Sequence, residues 1–409
     1  MKINKKISTF CLLASLVMIL ALSKGSSIVS QEESLVPWDK IHTELPKDKI
    51  PSLDTPKYIS AAEFENNFNE SYLENVSVFG IVIDGEARAY PWDILIWHEI
   101  VNDEINGKPF SVTFCPLTGT GLLFNRSAIS GSTIGVSGKL YENNLVFYDR
   151  ESDTHWSQVL NLAIYGEKIG QKLKIEPIVE TKWKVWKVLH PDTKVLSRSS
   201  SSELFQRLYN YNIYGDYRDT DTIWFNTTYN ATLAPYNKYF PKALNLVIGT
   251  DASKTKVYPF EELGKESVLN EKLENKPFAI FFDKINQLVI PYDSTIHSSL
   301  TDETVLKFKL VNATEFDLNS SQTLSMPVFQ DQTGTIWNML GQAIHGTLEG
   351  EKLDQKPSFN AFWFAATAFF PEATIYPTEN NNTTGIDFLI LLPISIAGLT
   401  VYIGRKRKK

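Results

Sequence analysis

The stretch KPFSVTFCPLTGTGLLFNR, residues 108–126, sets the reading of the whole chain. Ser111, Thr113 and Cys115 alternate with Val112 and Phe114, the period-two pattern of a strand that presents its side chains to opposite faces. Pro116 removes a backbone donor and ends the ladder. Thr118-Gly119-Thr120-Gly121 then supplies a turn, and residues 122–124 return as a second strand. Cys115 therefore falls at a strand end, beside backbone N–H groups and the hydroxyls of Thr118 and Thr120.

Working upstream, residues 78–83 and 87–90 read as a hairpin about Asp84-Gly85, a strong two-residue turn. Residues 92–101 follow as a helix, with Ile94, His98 and Asn102 spaced by four on one side. Before the hairpin, residues 24–77 read as an extended arm with a lead-in helix at 61–68. Pro37, Pro46, Pro51 and Pro56 keep the arm extended.

Working downstream, the same pieces return. Ala89-Tyr90-Pro91-Trp92 is echoed by Val257-Tyr258-Pro259-Phe260, and Lys108-Pro109-Phe110 by Lys276-Pro277-Phe278, both 168 residues later. Val146-Phe147-Tyr148-Asp149 is echoed by Val328-Phe329-Gln330-Asp331. Trp183 and Pro191 match Trp363 and Pro371, 180 residues on. Two copies of one unit explain these echoes: residues 78–196 and 246–376, joined by a tyrosine-rich connector at 197–245. The hairpin pattern, without strand–helix alternation, predicts an α+β fold: an internal duplication of two similar units of mostly antiparallel sheet with packed helices. Asp283 stands in the second copy where Cys115 stands in the first, so the candidate chemistry belongs to the first.

The ends read as targeting segments. Residues 1–23 have a basic start, an apolar run and a small-residue exit, the features of a signal peptide, whose removal takes Cys11 with it. Residues 377–387 read as a polar stalk. Residues 388–404 carry no charge and precede the basic tail 405–409, which predicts one C-terminal transmembrane helix with the body on the extracytoplasmic side of the cell membrane. Setting aside residues 1–23 and 387–409 removes eight of the 40 Lys and Arg and one of the 47 Asp and Glu, which leaves 32 − 46 = −14. Nucleic acid is excluded as a partner on that charge, and the membrane is expected as one through the C-terminal helix.

One cysteine in an exported body makes no internal disulfide. The catalytic reading groups Cys115 with His98, Glu99, Asn102 and Arg126: an imidazolium at a helix C-terminus lowers the thiol pKa, Arg126 stabilises the thiolate, and Asn102 or Glu99 orients the ring. Thr118, Gly119 and Thr120 would line a ligand site at the turn. A metal reading takes Cys115, His98 and His155, or Asp149 or Asp153, for copper or zinc. The remaining reading is a non-catalytic module for a small-molecule or protein ligand, with Cys115 buried away from its cleft. The sequence does not identify a cofactor.

Together, DGEARAYPWDILIWHEIVND, KPFSVTFCPLTGTGLLFNR, GVSGKLYENNLVFYDRESDTHWSQ and FWFAATAFFPEATIY resemble the DUF3179 family, a domain of unknown function, over residues 46–376. The resemblance implies no established activity and carries over no catalytic residues. Members typically show a CPLCG-type motif, whereas Thr118 occupies the second thiol position here. A two-cysteine redox cycle or a paired-thiolate metal site is closed to this chain unless a partner supplies the second sulfur.

Overall fold

The computed structural model describes residues 33–378, apart from 252–253, 265–267, 299–300 and 312–325. The lead-in contributes β1 (Ile41–Thr43) and β2 (Tyr58–Ser60), then α1 (Ala61–Asn67) and α2 (Glu70–Asn75). Ser60 and Asn69 start these helices by accepting from the Glu63 and Tyr72 N–H groups. The apolar run that follows folds back at Asp84 and Gly85, with φ of 50° and 82°, into the hairpin of β3 (Ser77–Ile83) and β4 (Glu86–Pro91). Next come α3 (Trp92–His98), β5 (Ile100–Ile105), β6 (Lys108–Cys115) and β7 (Thr120–Asn125). The helix expected over 92–101 closes at His98, because Glu99 takes the left-handed conformation and Ile100 begins pairing with Thr113.

The first half is completed by β8 (Ile134–Tyr141), β9 (Asn144–Asp149), β10 (His155–Ser157), β11 (Leu162–Tyr165), β12 (Lys174–Glu176), β13 (Val179–Lys182), α4 (Trp183–Leu189) and β14 (Lys194–Leu196). After a connector bearing α5 (Glu203–Leu208), the second half runs β15 (Leu244–Ile248), β16 (Lys256–Pro259), α6 (Phe260–Leu263), β17 (Val268–Leu273), β18 (Lys276–Asp283) and β19 (Leu288–Asp293). It ends with β20 (Thr295–Ser298), β21 (Thr301–Val305), β22 (Lys309–Val311), β23 (Val328–Gln330), β24 (Ile336–Trp337), β25 (Ala343–His345), β26 (Phe359–Phe362), α7 (Trp363–Phe369) and β27 (Thr374–Ile375).

Strand order is the same in the two halves. The order β13-β3-β4-β14 is met again as β26-β15-β16-β27, with two antiparallel pairings and then a parallel one in each. The orders β5-β6-β7 and β8-β9-β10-β11 correspond to β17-β18-β19 and β22-β23-β24-β25. Local contacts agree as well. Trp156 donates to Asp149 at 3.1 Å and Trp337 to Asp331 at 2.9 Å. Gly166 and Gly346, with φ of 106° and 108°, lie so close to the Thr154 and Thr335 backbones that a Cβ at either would come within 2.8 Å.

The cores do not respect the division into halves. One apolar cluster joins Cys115, Leu122 and Phe124 to Phe362, Trp363 and Phe369, and another joins Trp183 and Trp186 to Phe281, Tyr292 and Trp337. Each such side chain contributes about 1.5–3 kcal/mol on burial, so the seam between the halves is itself core. The described residues up to Tyr376 fall in one compact unit; of the second unit only residues 377 and 378 are described.

Two expectations are corrected. The architecture is mostly β-sheet in several sheets rather than α+β. Helices among the described residues reach only seven residues, about 10 Å, too short to match the sheets as a layer of their own. The C-terminal transmembrane helix finds no support either: no helix among the described residues is long and apolar enough to cross a membrane. The membrane partner expected through that helix is set aside with it. Residues 1–23 and 388–404, on which the targeting readings fall, lie outside the described residues.

Candidate functional site

Cys115 ends β6 and pairs with Thr120 across the turn, as the alternation of 111–115 requires. Its thiol is 1% exposed and donates to the Asn143 carbonyl at 3.6 Å. Glu99, the left-handed residue that ends α3 at φ 56°, donates its N–H to Leu95 and accepts from Phe114 N–H, both at 2.7 Å. These bonds turn its carboxyl inward beside the thiol. Tyr214 and Tyr217 of the connector close the group: Tyr214 hydrogen-bonds Glu99, and Tyr217 donates to the Leu117 carbonyl at 3.0 Å. Asn143 straps the connector down by exchanging hydrogen bonds with Phe225 at 2.9 and 3.0 Å.

Burial sets the electrostatics. It pushes the Cys115 thiol up to about 11, with the neighbouring Glu99 adding to the rise, and pushes the Glu99 carboxyl up to about 8 against the hydrogen bond from Tyr214. Thiol, carboxyl and both phenols are neutral at pH 7. The cluster is a buried, hydrogen-bonded plug in which the thiol keeps its proton.

The other expected residues are placed elsewhere. His98 is 1% exposed and spans the Pro51 carbonyl and the Tyr209 hydroxyl, both at 2.6 Å. A carbonyl only accepts, so Nδ1 carries the proton and Nε2 accepts from Tyr209. Burial pushes its pKa down, outweighing the dipole of a seven-residue helix, so the expected imidazolium does not form. Asn102 bridges Ser111, Asp54 and both backbone groups of Ile134. Arg126, 5% exposed, is spent on the carbonyls of Phe110, Asp103, Gly131 and Ser132. Thr118 and Thr120 are fully buried in a network with Asn144 and Gln158, with links of 2.8–2.9 Å, and Gly119 sits under the Phe362 ring. His155 stacks on Tyr165 at 4.3 Å and has its pKa pushed down by burial to about 4. Among the described residues, no three His, Cys, Asp or Glu side chains are grouped as metal ligands, so Cys115, His98 and His155 are not brought together.

A second feature lies on the seam. Equivalent strands β13 and β26 pass close enough for Asn360 to donate to Glu180 at 3.0 Å, and these two residues are themselves equivalent, 180 positions apart. Beside them opens a cleft of about 580 Å³, walled by Trp92 and its equivalent Phe260 and by Lys182, Arg218 and Gln287. Comparison with known proteins adds one finding: the family model described as protein of unknown function (DUF3179) matches residues 47–373. The chain belongs to the DUF3179 family. No curated protein and no solved structure matches it.

In this DUF3179 chain two cations, Lys182 and Arg218, line the cleft. Arg218 lies against two aromatic rings, 4.9 Å from Trp92 and 5.5 Å from Phe362. Among the described residues no carboxylate comes within 4.0 Å of its guanidinium. Lys182 is anchored to the Asn75 carbonyl at 2.6 Å, and its pKa is pushed down by burial and then by Arg218. Burial pushes Glu180 up, against the pull of Arg218. Sequence reasoning missed these residues, although the 168- and 180-residue offsets pointed to two of the pairs: Trp92 with Phe260, and Glu180 with Asn360. Arg218 gave no signal, because the connector has no counterpart in the repeat.

Proposed function

We propose that this DUF3179 protein is a non-catalytic binding module whose small-molecule ligand sits in the cleft between its two halves. The observation that carries the reading is the cleft itself, which falls within the few hundred to about 1,000 Å³ usual for small-molecule sites and is lined by equivalent residues from both halves. The thiol reading draws no comparable support: a thiol 1% exposed, with its pKa raised and no imidazolium beside it, is built to pack. An extracytoplasmic place for the body is part of the proposal and rests on residues 1–23; mass spectrometry of the mature N-terminus tests it, since an intact Met1 start would remove that support.

Thermal-shift screening against sugars, amino acids, nucleotides and small organic acids tests the cleft. At least one compound should raise the melting temperature saturably in the wild type and fail to do so in Ile96→Trp, which fills the cleft from a half-buried helix position. Equal stabilisation of both proteins, or of neither, would reject the cleft as the site.

A further inference from the structure

Resting on that reading of the cleft, we propose that its ligand is a small oxyanion, a carboxylate or phosphate group, anchored by Arg218. The donor inventory carries the inference. Arg218 offers a planar fork of N–H groups that Trp92 and Phe362 hold in place, and among the described residues no carboxylate within 4.0 Å neutralises it. Lys182 adds an ammonium on the same wall. A half-buried arginine and a lysine lining one cleft, with no carboxylate within 4.0 Å of the arginine among the described residues, point to an anion that arrives from outside.

The two carboxylates of the cleft are already engaged. Glu180 accepts from Asn360, and Asp93 accepts from Arg198 and Tyr72. An oxyanion accepts only, and its charge is met by Arg218 and Lys182. The aromatic bed costs Arg218 some of its hydration and limits the rotamers it samples, which pre-organises the fork for a planar carboxylate or a phosphate.

Titration calorimetry with malonate and with inorganic phosphate, against glucose and glycerol as neutral probes, tests this on the full chain. At least one anion should bind one per chain, at least tenfold weaker in Arg218→Gln, with partial recovery in Arg218→Lys and weakening as salt rises. The melting temperatures of the variants, measured without ligand, separate lost binding from lost folding. Anion binding that is unchanged in Arg218→Gln would overturn the proposal. If a neutral compound binds and is blocked by Ile96→Trp while the anions do not bind, the oxyanion falls and the cleft stands. If nothing that Ile96→Trp blocks binds at all, both fall.

Discussion

At the scale of single residues, the decisive pair is Cys115 and Glu99, two ionisable groups that the fold keeps neutral. Iodoacetamide should leave native Cys115 unlabelled through pH 9 and label it fully in denaturant; rapid native labelling would show an accessible thiolate instead. Glu99 gives a pH prediction with a definite sign. Its folded pKa, about 8, lies above its ordinary 4.5, so the folded state binds the proton more tightly. The stability contribution is whole below 4.5 and declines as the pH rises toward 8, at up to about 1.4 kcal/mol per pH unit. Glu99→Gln keeps a side chain able to bond Tyr214 and removes the ionisation, so urea melts should show its stability falling less steeply than the wild type across this window. Parallel curves would mean that Glu99 is ionised in the folded protein.

At the scale of elements, the two equivalent turns behave differently. Gly119 has φ 65° and the Phe362 ring lies 2.8 Å from where its Cβ would be, so Gly119→Ala should cost at least about 1–2 kcal/mol in a denaturant titration. Gln287 carries the same kind of backbone at φ 51° with a side chain already present, so Gln287→Gly should stay within about 1 kcal/mol of the wild type. What could be read from the sequence divides along similar lines. The strand ending at Cys115, the Asp84-Gly85 hairpin and the 168- and 180-residue offsets follow from local periodicity and local echo, and the strands lie where those patterns place them. The surroundings of the thiol did not follow, because Tyr217 meets Leu117 across 100 residues, from a connector with no periodicity. The helix face of His98 was readable, whereas the burial that keeps its ring neutral depends on Pro51, Phe205 and Tyr209. The α+β expectation overweighted helices that stop after seven residues.

At the scale of the whole molecule, the shared clusters make the halves interdependent. Residues 33–196 expressed alone lose Phe362, Trp363 and Phe281 from their packing and should show no cooperative thermal transition by circular dichroism. A sharp transition from that fragment would show that the first half has a sufficient core of its own. The unequal turns also imply a chronology. In the second half Asp283 accepts from the N–H and the amide of Asn286, three residues away, so that turn closes locally. The thiol turn has a local bond too, the Thr118 N–H on the Cys115 carbonyl at 3.3 Å, but its cover depends on the Phe362 N–H on the Thr118 carbonyl at 2.8 Å, a contact across 362 − 118 = 244 residues. Contacts so distant in the chain form late. Until that moment the sulfur that the finished protein hides stands open to oxidants, whether the chain is emerging from a ribosome or refolding in a tube. A maleimide pulse during refolding should therefore capture Cys115 until the slowest phase ends; protection within the first phase would mean that the turn assembles without waiting for its distant partner.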